Sequence, residues 1–147
     1  MLKPVRIAFL IGLCALLSAS PAGARSTFHD LSVESARDSE TGKAKLQKVP
    51  FYMAGQKHPA VAKDLGIFTA NRRTNAFGKS DEAACQIAFL SAVIALQSRA
   101  QKMGGTAIVD IKSITKHNDL TSASEYRCAA GDVVANVVLS GRVVKLK

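Results

Sequence analysis

A Gly78-Lys79-Ser80 sequence between a predicted strand and a predicted helix has the form of the end of a P-loop, which binds nucleotide phosphates. A P-loop also needs a glycine five residues earlier, so that the backbone can wrap around the phosphates, and Arg73 occupies that position here. No strand ending in the aspartate of a Walker B motif is evident. The pattern therefore favours a helix N-cap preceded by a flexible glycine. A nucleotide-dependent, ATPase-like protein is kept as an alternative.

Basic residues near the same position indicate a second kind of chemistry, the binding of an anion. Arg72, Arg73 and Lys79 lie close to the predicted helix start, where free N–H groups and the helix dipole attract negative charge. Arg99 lies five turns along the helix and is not expected to join them. Ordinary surface charge is the favoured interpretation, with an anion-binding site at Arg72, Arg73 and Lys79 as the functional alternative.

The three histidines, His29, His58 and His117, are the remaining candidates for catalysis or metal binding. None lies in an H-E-x-x-H motif, and no spacing with Asp or Cys fits a zinc site. His117 and Asp119 could hold a metal weakly, although a solvated loop is favoured there. A nucleophile elbow is also lacking. We therefore predict no metal, no cofactor and no catalytic residue.

The first 24 residues have the organisation of a secretory signal peptide. Lys3 and Arg6 give a positive start, Ile7–Leu17 is an apolar run, and Ala22-Gly23-Ala24 is a cleavage site of the A-x-A type. The run is too short to span a bilayer as a helix, so a retained anchor is the less favoured alternative. We expect a periplasmic or secreted protein with no stable membrane anchor after cleavage at Ala24.

Two of the three cysteines, Cys85 and Cys128, remain after removal of residues 1–24. Leu13 precedes Cys14, whereas a lipobox has Gly or Ala there, so lipidation is not expected. An even number of cysteines in an oxidising compartment predicts one disulfide. Closing a loop of about 43 residues would stabilise the fold by ~4 kcal/mol. Two buried free thiols are the alternative, and the absence of a C-x-x-C motif argues against a thiol–disulfide enzyme.

The formal charge of +9 falls to +7 when Lys3 and Arg6 are removed with the signal peptide. A basic exported protein suits an envelope protein or an anionic envelope polymer, such as lipopolysaccharide or an acidic glycan, as its partner. The basic residues are scattered, however, which favours a solvated surface. Nucleic acid is not predicted as a partner, because few aromatic residues accompany the basic ones.

The chain is organised around a long helix that is followed directly by a strand. Ser80 is a good N-cap, and Gly104 with Gly105 ends the helix. Two adjacent apolar stripes predict a deeply buried face: Ile87, Leu90 and Ile94 in one, and Phe89, Val93, Leu96, Ala100 and Met103 in the other. The wetter side is marked by Gln86, Gln97, Arg99, Gln101 and Lys102. Thr106–Ser113 then alternates apolar and polar residues, as in a half-buried strand.

The remaining segments complete a small sheet. Residues 25–45 are polar and without a sustained period, so we predict a flexible N-terminal arm before a single domain at residues 46–147. One helical turn is expected at Ala60–Asp64, and a bulge or bend at Gly141. The predicted strands are Leu46–Met53, Leu65–Asn75, Thr106–Ser113, Ser124–Ala130 and Val133–Leu146. This order predicts an α+β fold, a mostly antiparallel sheet with one long helix packed on one face.

The segment Ala95–Ser113, which contains R-A-x-x-x-G-G-T-A-I-V-D-I-K-S, is similar to the core of YbjQ-like domains. Cys128–Gly131 and the strand Val133–Leu146 resemble the last hairpin of that fold. Exported stress-sensor lipoproteins of the Rcs type, which are RcsF-like, have the same fold with a helix-to-strand disulfide, and a Cys85–Cys128 bond resembles it. The resemblance implies a YbjQ/RcsF-like domain, although this chain has one cysteine pair instead of two and no lipid anchor.

Three further motifs resemble a family of short exported bacterial proteins that are often labelled "excinuclease ATPase subunit". They are F-Y-x-x-G-Q-x-H-P at Phe51–Pro59, N-x-F-G-K-S-D-E-A-A-C at Asn75–Cys85, and Y-x-C-x-A-G at Tyr126–Gly131. The label implies nucleotide-dependent activity, which the incomplete P-loop does not support. The function predicted from the sequence is therefore an exported, disulfide-stapled, non-enzymatic domain that binds a cell-envelope component. An anion- or metal-binding module is the alternative.

Overall fold

A computed structural model of the protein describes residues 25–115 and 117–147. The predicted signal peptide at residues 1–24, including Cys14, lies outside the described residues. The elements are β1 (Thr27–Ser32), α1 (Val33–Asp38), α2 (Glu40–Lys45), β2 (Phe51–Met53), β3 (Val61–Asn75), α3 (Asp81–Met103), β4 (Ala107–Ser113), β5 (Glu125–Ala130) and β6 (Val134–Leu146).

The strands form one six-stranded sheet with β6 at its centre. On one side, β6 pairs with β3 along the whole length of β6. On the other side, β6 pairs with β5 and with β4. The strand order is β1-β5-β6-β4-β2, and β3 pairs with β6 outside this order. Only the short pair β2–β4 is parallel, and the other pairs are antiparallel. The predicted α+β class, with a mostly antiparallel sheet and one long helix on one face, is confirmed.

The long helix α3 begins and ends where the sequence predicts. Ser80 Oγ accepts a hydrogen bond from the N–H of Ala83 at 3.1 Å, and Gly104 closes the helix with φ = 71°. By length and a mean hydropathy of 1.3 the helix could cross a membrane, but 56% of that stretch is buried inside the domain. It is therefore the core helix of this fold. Large buried side chains of the core include Phe89, Leu90 and Leu96 from α3 and Tyr126, Ile108, Ile111 and Leu139 from the sheet.

The prediction of a flexible arm at residues 25–45 is wrong, because this segment forms β1, α1 and α2. All six residues of β1 lie opposite residues of β5 in an antiparallel ladder, whose main-chain hydrogen bonds need no hydrophobic period. Ser32 and Ser39 then cap the two short helices by accepting from the N–H groups of Ser35 and Gly42. Buried Val33 joins the core.

The predicted helical turn at Ala60–Asp64 is also wrong, since β3 already begins at Val61. Val61 pairs with Leu146, so the first residues of β3 extend the ladder with the last residues of β6. The strand predicted at Leu46–Met53 is shorter than expected. It begins at Phe51, directly after Pro50, which agrees with the confinement of proline to a strand end.

The regular alternation predicted for β4 is interrupted by a bulge. The register with β6 shifts between Val109 and Lys112, and Asp110 has φ = 53°. As a result Ile108 and Ile111 both join the core under α3. The pairing of β6 with β3 runs through Gly141 without a shift. The irregularity predicted at Gly141 therefore lies in the neighbouring strand, β4.

The predicted disulfide is present between Cys85 of α3 and Cys128 of β5, with a Cα–Cα distance of 5.8 Å. Both cysteines are completely buried. The bond joins the N-terminal part of the core helix to a strand far along the chain. The disulfide and the described core residues lie in the part of the chain that would remain after the predicted cleavage at Ala24.

Candidate anion-binding groove

A cavity of about 500 Å³ lies between α3 and one side of β3. Its lining consists of Arg72, Ser91, Ile94, Ala95, Ser98, Arg99 and Lys102. We call this cavity the α3–β3 groove. It combines three cationic side chains and two hydroxyl groups with a small apolar surface, and none of its lining residues is a carboxylate. Such a lining is suited to an anion.

The position of Arg72 follows from the alternation of side chains in β3. Ala70 is buried and belongs to the core under α3. Arg72 is two residues further along, so it lies on the same face of the sheet as Ala70 and the helix. One guanidinium nitrogen of Arg72 donates to the carbonyl oxygen of Asn71 at 3.0 Å. The other N–H groups of Arg72 can serve a ligand in the groove.

The side chain of Arg99 reaches the same groove from α3. Its guanidinium carbon lies 5.0 Å from the centre of the Phe68 ring, a distance at which a cation is attracted to an aromatic face. Phe68 is two residues before Ala70 and therefore shares its face of the sheet. This contact orients Arg99 toward β3.

The expectation that Arg99 is too far along the helix to meet Arg72 is wrong, because both line the α3–β3 groove. The short connection between Asn75 and Asp81 turns the helix back over β3. Arg99 is about 28 Å along the helix from Ser80, and Phe68 is about 23 Å along the strand from Asn75. Because the chain reverses direction between β3 and α3, these two similar distances bring Arg99, late in α3, beside Phe68 in the middle of β3.

The two serines of the groove are engaged in different ways. Ser98 Oγ accepts from Nε2 of Gln47 at 2.9 Å, which leaves its hydroxyl proton for donation to an anion. Ser91 Oγ donates to the carbonyl oxygen of Ile87 at 2.8 Å and presents only lone pairs to the groove. Ile94 and Ala95 form the apolar part of the lining.

The cations of the groove have no acidic partner among the described residues, in contrast to three arginines elsewhere in the domain. Arg25, Arg127 and Arg142 each form ion pairs with aspartates. Over residues 25–115 and 117–147, no carboxylate lies within ion-pair distance of Arg72, Arg99 or Lys102. Their positive charge is therefore not neutralised by a contact within this part of the chain.

The three residues predicted to form one anion site lie apart. Arg72 is in the α3–β3 groove, whereas Arg73 lines cavities with Val133 and Val134, as expected for neighbours in a strand. Lys79 Nζ donates to the carbonyl oxygen of Asn75 at 3.2 Å. Arg72, Arg73 and Lys79 do not share any cavity lining that the structure describes.

The N-terminus of α3 is already occupied by a carboxylate of the chain. Both oxygens of Asp81 accept from Arg25, at 3.0 and 3.1 Å, and one of them lies 2.9 Å from Nε2 of His29. The hydrogen bonds from Arg25 hold the pKa of the Asp81 carboxyl below its usual value. With Asp81 at the positive end of the helix and the Ser80 hydroxyl used as the cap, this end is unsuited to a second anion.

The other sequence candidates are also placed by the structure. Asp119 Oδ1 accepts from the backbone N–H of Thr115 at 2.8 Å, so it organises its own loop. His117, which has φ = 65°, lies beside it on the surface. His58 Nδ1 lies 2.8 Å from the carbonyl oxygen of Pro59. Among the described residues, no group of three or more His, Cys, Asp or Glu side chains could hold a metal ion.

The sequence contains a signal for the helical half of the groove. Ser91, Ala95, Ser98 and Lys102 recur at intervals of four, three and four residues, which places them on one face of α3. Whether Arg72 faces this side of α3 depends on which face of β3 is buried, and only the tertiary structure shows this.

Comparisons with protein-family models, with curated proteins and with solved structures found no match.

Proposed function

We propose that the protein is an exported, disulfide-stapled, non-enzymatic domain that binds an anionic component of the cell envelope in the α3–β3 groove. The observation that carries this proposal is the grouping of Arg72, Arg99 and Lys102 around one cavity without an acidic lining residue. The signal-peptide features of residues 1–24 and the buried Cys85–Cys128 disulfide support an extracytoplasmic location.

The groove favours a ligand with more than one negative group. Two arginines can form paired hydrogen bonds with phosphate or carboxylate oxygens, and Lys102 adds a third positive charge. Ile94 and Ala95 offer an apolar surface to the carbon atoms of such a ligand. We therefore infer that the ligand is a polymer with repeated phosphate or carboxylate groups, such as a phosphorylated or uronate-containing glycan.

The lining supports binding rather than turnover. Its seven residues include no histidine, cysteine or carboxylate, which are the usual general bases and nucleophiles of enzymes. The Ser91 hydroxyl donates to a helix carbonyl, and Ser98 has no base among the lining residues to activate it. The chemistry that remains is electrostatic attraction and hydrogen bonding.

Calorimetric titration of the oxidised chain from Arg25 to Lys147 tests the proposal. The probes are inorganic polyphosphate and an oligogalacturonate, with a neutral glucan oligomer as the control ligand. We expect at least one polyanion to bind, with an affinity that falls as the ionic strength rises from about 0.05 M to about 0.3 M, and the glucan to remain unbound. The absence of a binding isotherm with both polyanions at low salt would overturn the proposal.

The adjacent arginines provide a matched pair of variants. Arg72→Gln and Arg73→Gln remove the same charge from neighbouring positions, but only Arg72 lines the groove. We expect Arg72→Gln and Arg99→Gln each to weaken polyanion binding about tenfold, which is the loss of roughly one charge-assisted contact. Arg73→Gln should change it by less than about twofold. Equal losses for Arg72→Gln and Arg73→Gln would instead indicate attraction to the general surface charge.

A further inference from the structure

Three exposed apolar residues lie together at the end of the molecule where β3 leads into α3. Phe77 is 76% exposed, Val133 is 63% exposed, and Val134 is 44% exposed. They line one cavity of about 500 Å³ together with Arg73. We call the loop 76–80 and the turn 131–134 the apolar tip. Exposed apolar residues that are grouped on one surface, with polar residues around them, are a feature of sites that contact apolar partners.

The exposure of Phe77 is built into the backbone. The N–H of Ala76, which is buried, donates to the carbonyl oxygen of Val133 at 2.7 Å, so the loop and the turn are fastened together. Asn75 Oδ1 accepts from the N–H of Phe77 at 2.8 Å, and the N–H of Lys79 donates to the carbonyl oxygen of Ala76 at 3.0 Å. These bonds hold the Phe77 side chain outward.

Cations surround the apolar tip. Arg73 shares the cavity with Phe77, and Lys79 follows Phe77 by two residues with its ammonium group at the Asn75 carbonyl. Neither has a carboxylate within ion-pair distance in the described part of the chain. The Asp132 carboxylate of the same turn is bonded to Arg25 at 2.9 Å. An apolar centre with positive neighbours matches the boundary between acyl chains and anionic headgroups.

The chain enters the domain at the same end. Arg25, the first described residue, is bonded to Asp132 of the turn and to Asp81 at the start of α3. Its carbonyl oxygen also lies close against Gly131, 2.6 Å from the place a β-carbon would take. Residues 1–24, which contain the apolar run Ile7–Leu17, are therefore joined to the domain beside the apolar tip.

We propose that the apolar tip is a membrane-contact surface that takes an anionic phospholipid bilayer as its partner. Phe77 and Val133 insert into the headgroup region, while Arg73 and Lys79 meet the lipid phosphates. The contact is peripheral, because two loops of the described domain carry it. It is also separate from the α3–β3 groove, since the two surfaces share no lining residue.

Co-sedimentation of the oxidised chain from Arg25 to Lys147 with lipid vesicles tests this proposal. We expect retention on phosphatidylglycerol–phosphatidylethanolamine vesicles and much weaker retention on phosphatidylcholine vesicles. Phe77→Ser should reduce retention about tenfold or more, as expected from the loss of one buried aromatic side chain. Phe28→Ser is the control, because Phe28 is likewise an exposed phenylalanine, at 44%, but does not line the tip cavity. Equal retention of the two variants would overturn the proposal.

Two further readouts keep this test independent of the groove. Arg73→Gln should weaken vesicle retention and Arg72→Gln should not, which reverses the pattern expected for polyanion binding. The chain has no tryptophan, so Phe77→Trp places its single indole fluorophore at the tip. Its emission should shift to shorter wavelength when phosphatidylglycerol vesicles are added, because the indole leaves water. An unchanged emission spectrum in the presence of these vesicles would contradict insertion.

Discussion

The side chain of Gln97 and the backbone of Gln47 exchange two hydrogen bonds. Gln97 Oε1 accepts from the N–H of Gln47 at 3.0 Å, and Gln97 Nε2 donates to its carbonyl oxygen at 3.0 Å. The same nitrogen also donates to the carbonyl oxygen of Val49 at 2.7 Å. Gln97 is only 1% exposed. One buried amide thus fastens the connection between α2 and β2 to the core helix.

Replacement of Gln97 by leucine should therefore be costly. The Gln97→Leu variant keeps the approximate volume but leaves one N–H and two carbonyl groups of the backbone without these partners. We expect the free energy of unfolding to fall by about 2–4 kcal/mol, since each unsatisfied buried group costs about 1–3 kcal/mol. Urea denaturation measures this loss. Gln101→Leu, on the exposed side of the same helix, should change it by less than about 0.5 kcal/mol, and similar losses for both variants would contradict this role.

Local signals in the sequence correctly predicted where α3 begins and ends, but they placed Gln97 on the solvent-exposed side of the helix. The cap at Ser80 and the glycine stop at Gly104 act within a few residues of the chain, so the sequence is sufficient to identify them. The partners of Gln97 lie about 50 residues away, at Gln47 and Val49. Helical periodicity assigns polar residues to the solvent-exposed side of the helix, and only the tertiary structure shows that Gln97 is buried.

The difference between local signals and distant contacts also explains why the N-terminal segment and the groove were not predicted from the sequence. β1 is held by its main-chain ladder with β5, which leaves no periodic trace in the side chains. Strand alternation separates Arg72 from Arg73 in any strand, but it does not say which of them faces the helix. That depends on the burial of Ala70 and on the return of α3 over β3.

The Cys85–Cys128 disulfide is expected to be a large part of the stability of the domain. Its sequence separation is 43 residues, and the chain-entropy model gives ~4 kcal/mol for a loop of this length. Reduction should therefore lower the midpoint of guanidinium chloride denaturation markedly. The double variant Cys85→Ala/Cys128→Ala should show a similarly low midpoint that no longer responds to the reductant. A midpoint in the wild-type chain that is unchanged by verified reduction would contradict this expectation.

Gly141 is required by the close approach of three side chains from α3 and β4. A β-carbon at this position would lie 2.7 Å from Cγ2 of Ile108, 3.1 Å from Cγ1 of Ile111 and 3.4 Å from Cδ1 of Leu96. Gly141→Ala should overpack the core and lower the free energy of unfolding by about 1–3 kcal/mol.

Ser140→Ala is a suitable control for Gly141→Ala, because the neighbouring residue faces the opposite side of the sheet. It should cost less than about 1 kcal/mol. Thermal or urea unfolding of the two variants distinguishes them. An alanine at position 141 that is tolerated as well as the one at position 140 would show that the core adjusts without strain.

The ion pair between Asp30 and Arg127, which links β1 to β5, should make the stability depend on pH. Both carboxylate oxygens of Asp30 accept from Arg127 at 2.7 Å, and these bonds hold the pKa of Asp30 below its usual value. A carboxyl group with a lowered pKa in the folded state stabilises the fold above its unfolded pKa of about 3.9. This stabilisation is lost as the pH falls through the lower, folded pKa.

Asp30→Asn removes this titration while keeping the size of the side chain. The wild-type chain should exceed the variant in free energy of unfolding by roughly 0.5–1 kcal/mol at pH 6, as is usual for a partly exposed ion pair. The difference should shrink toward pH 3, because protonation then weakens the pair in the wild type only. Urea denaturation of both proteins at pH 6 and pH 3 measures the two differences. A difference that is the same at both pH values would show that the carboxylate charge of Asp30 does not stabilise the fold.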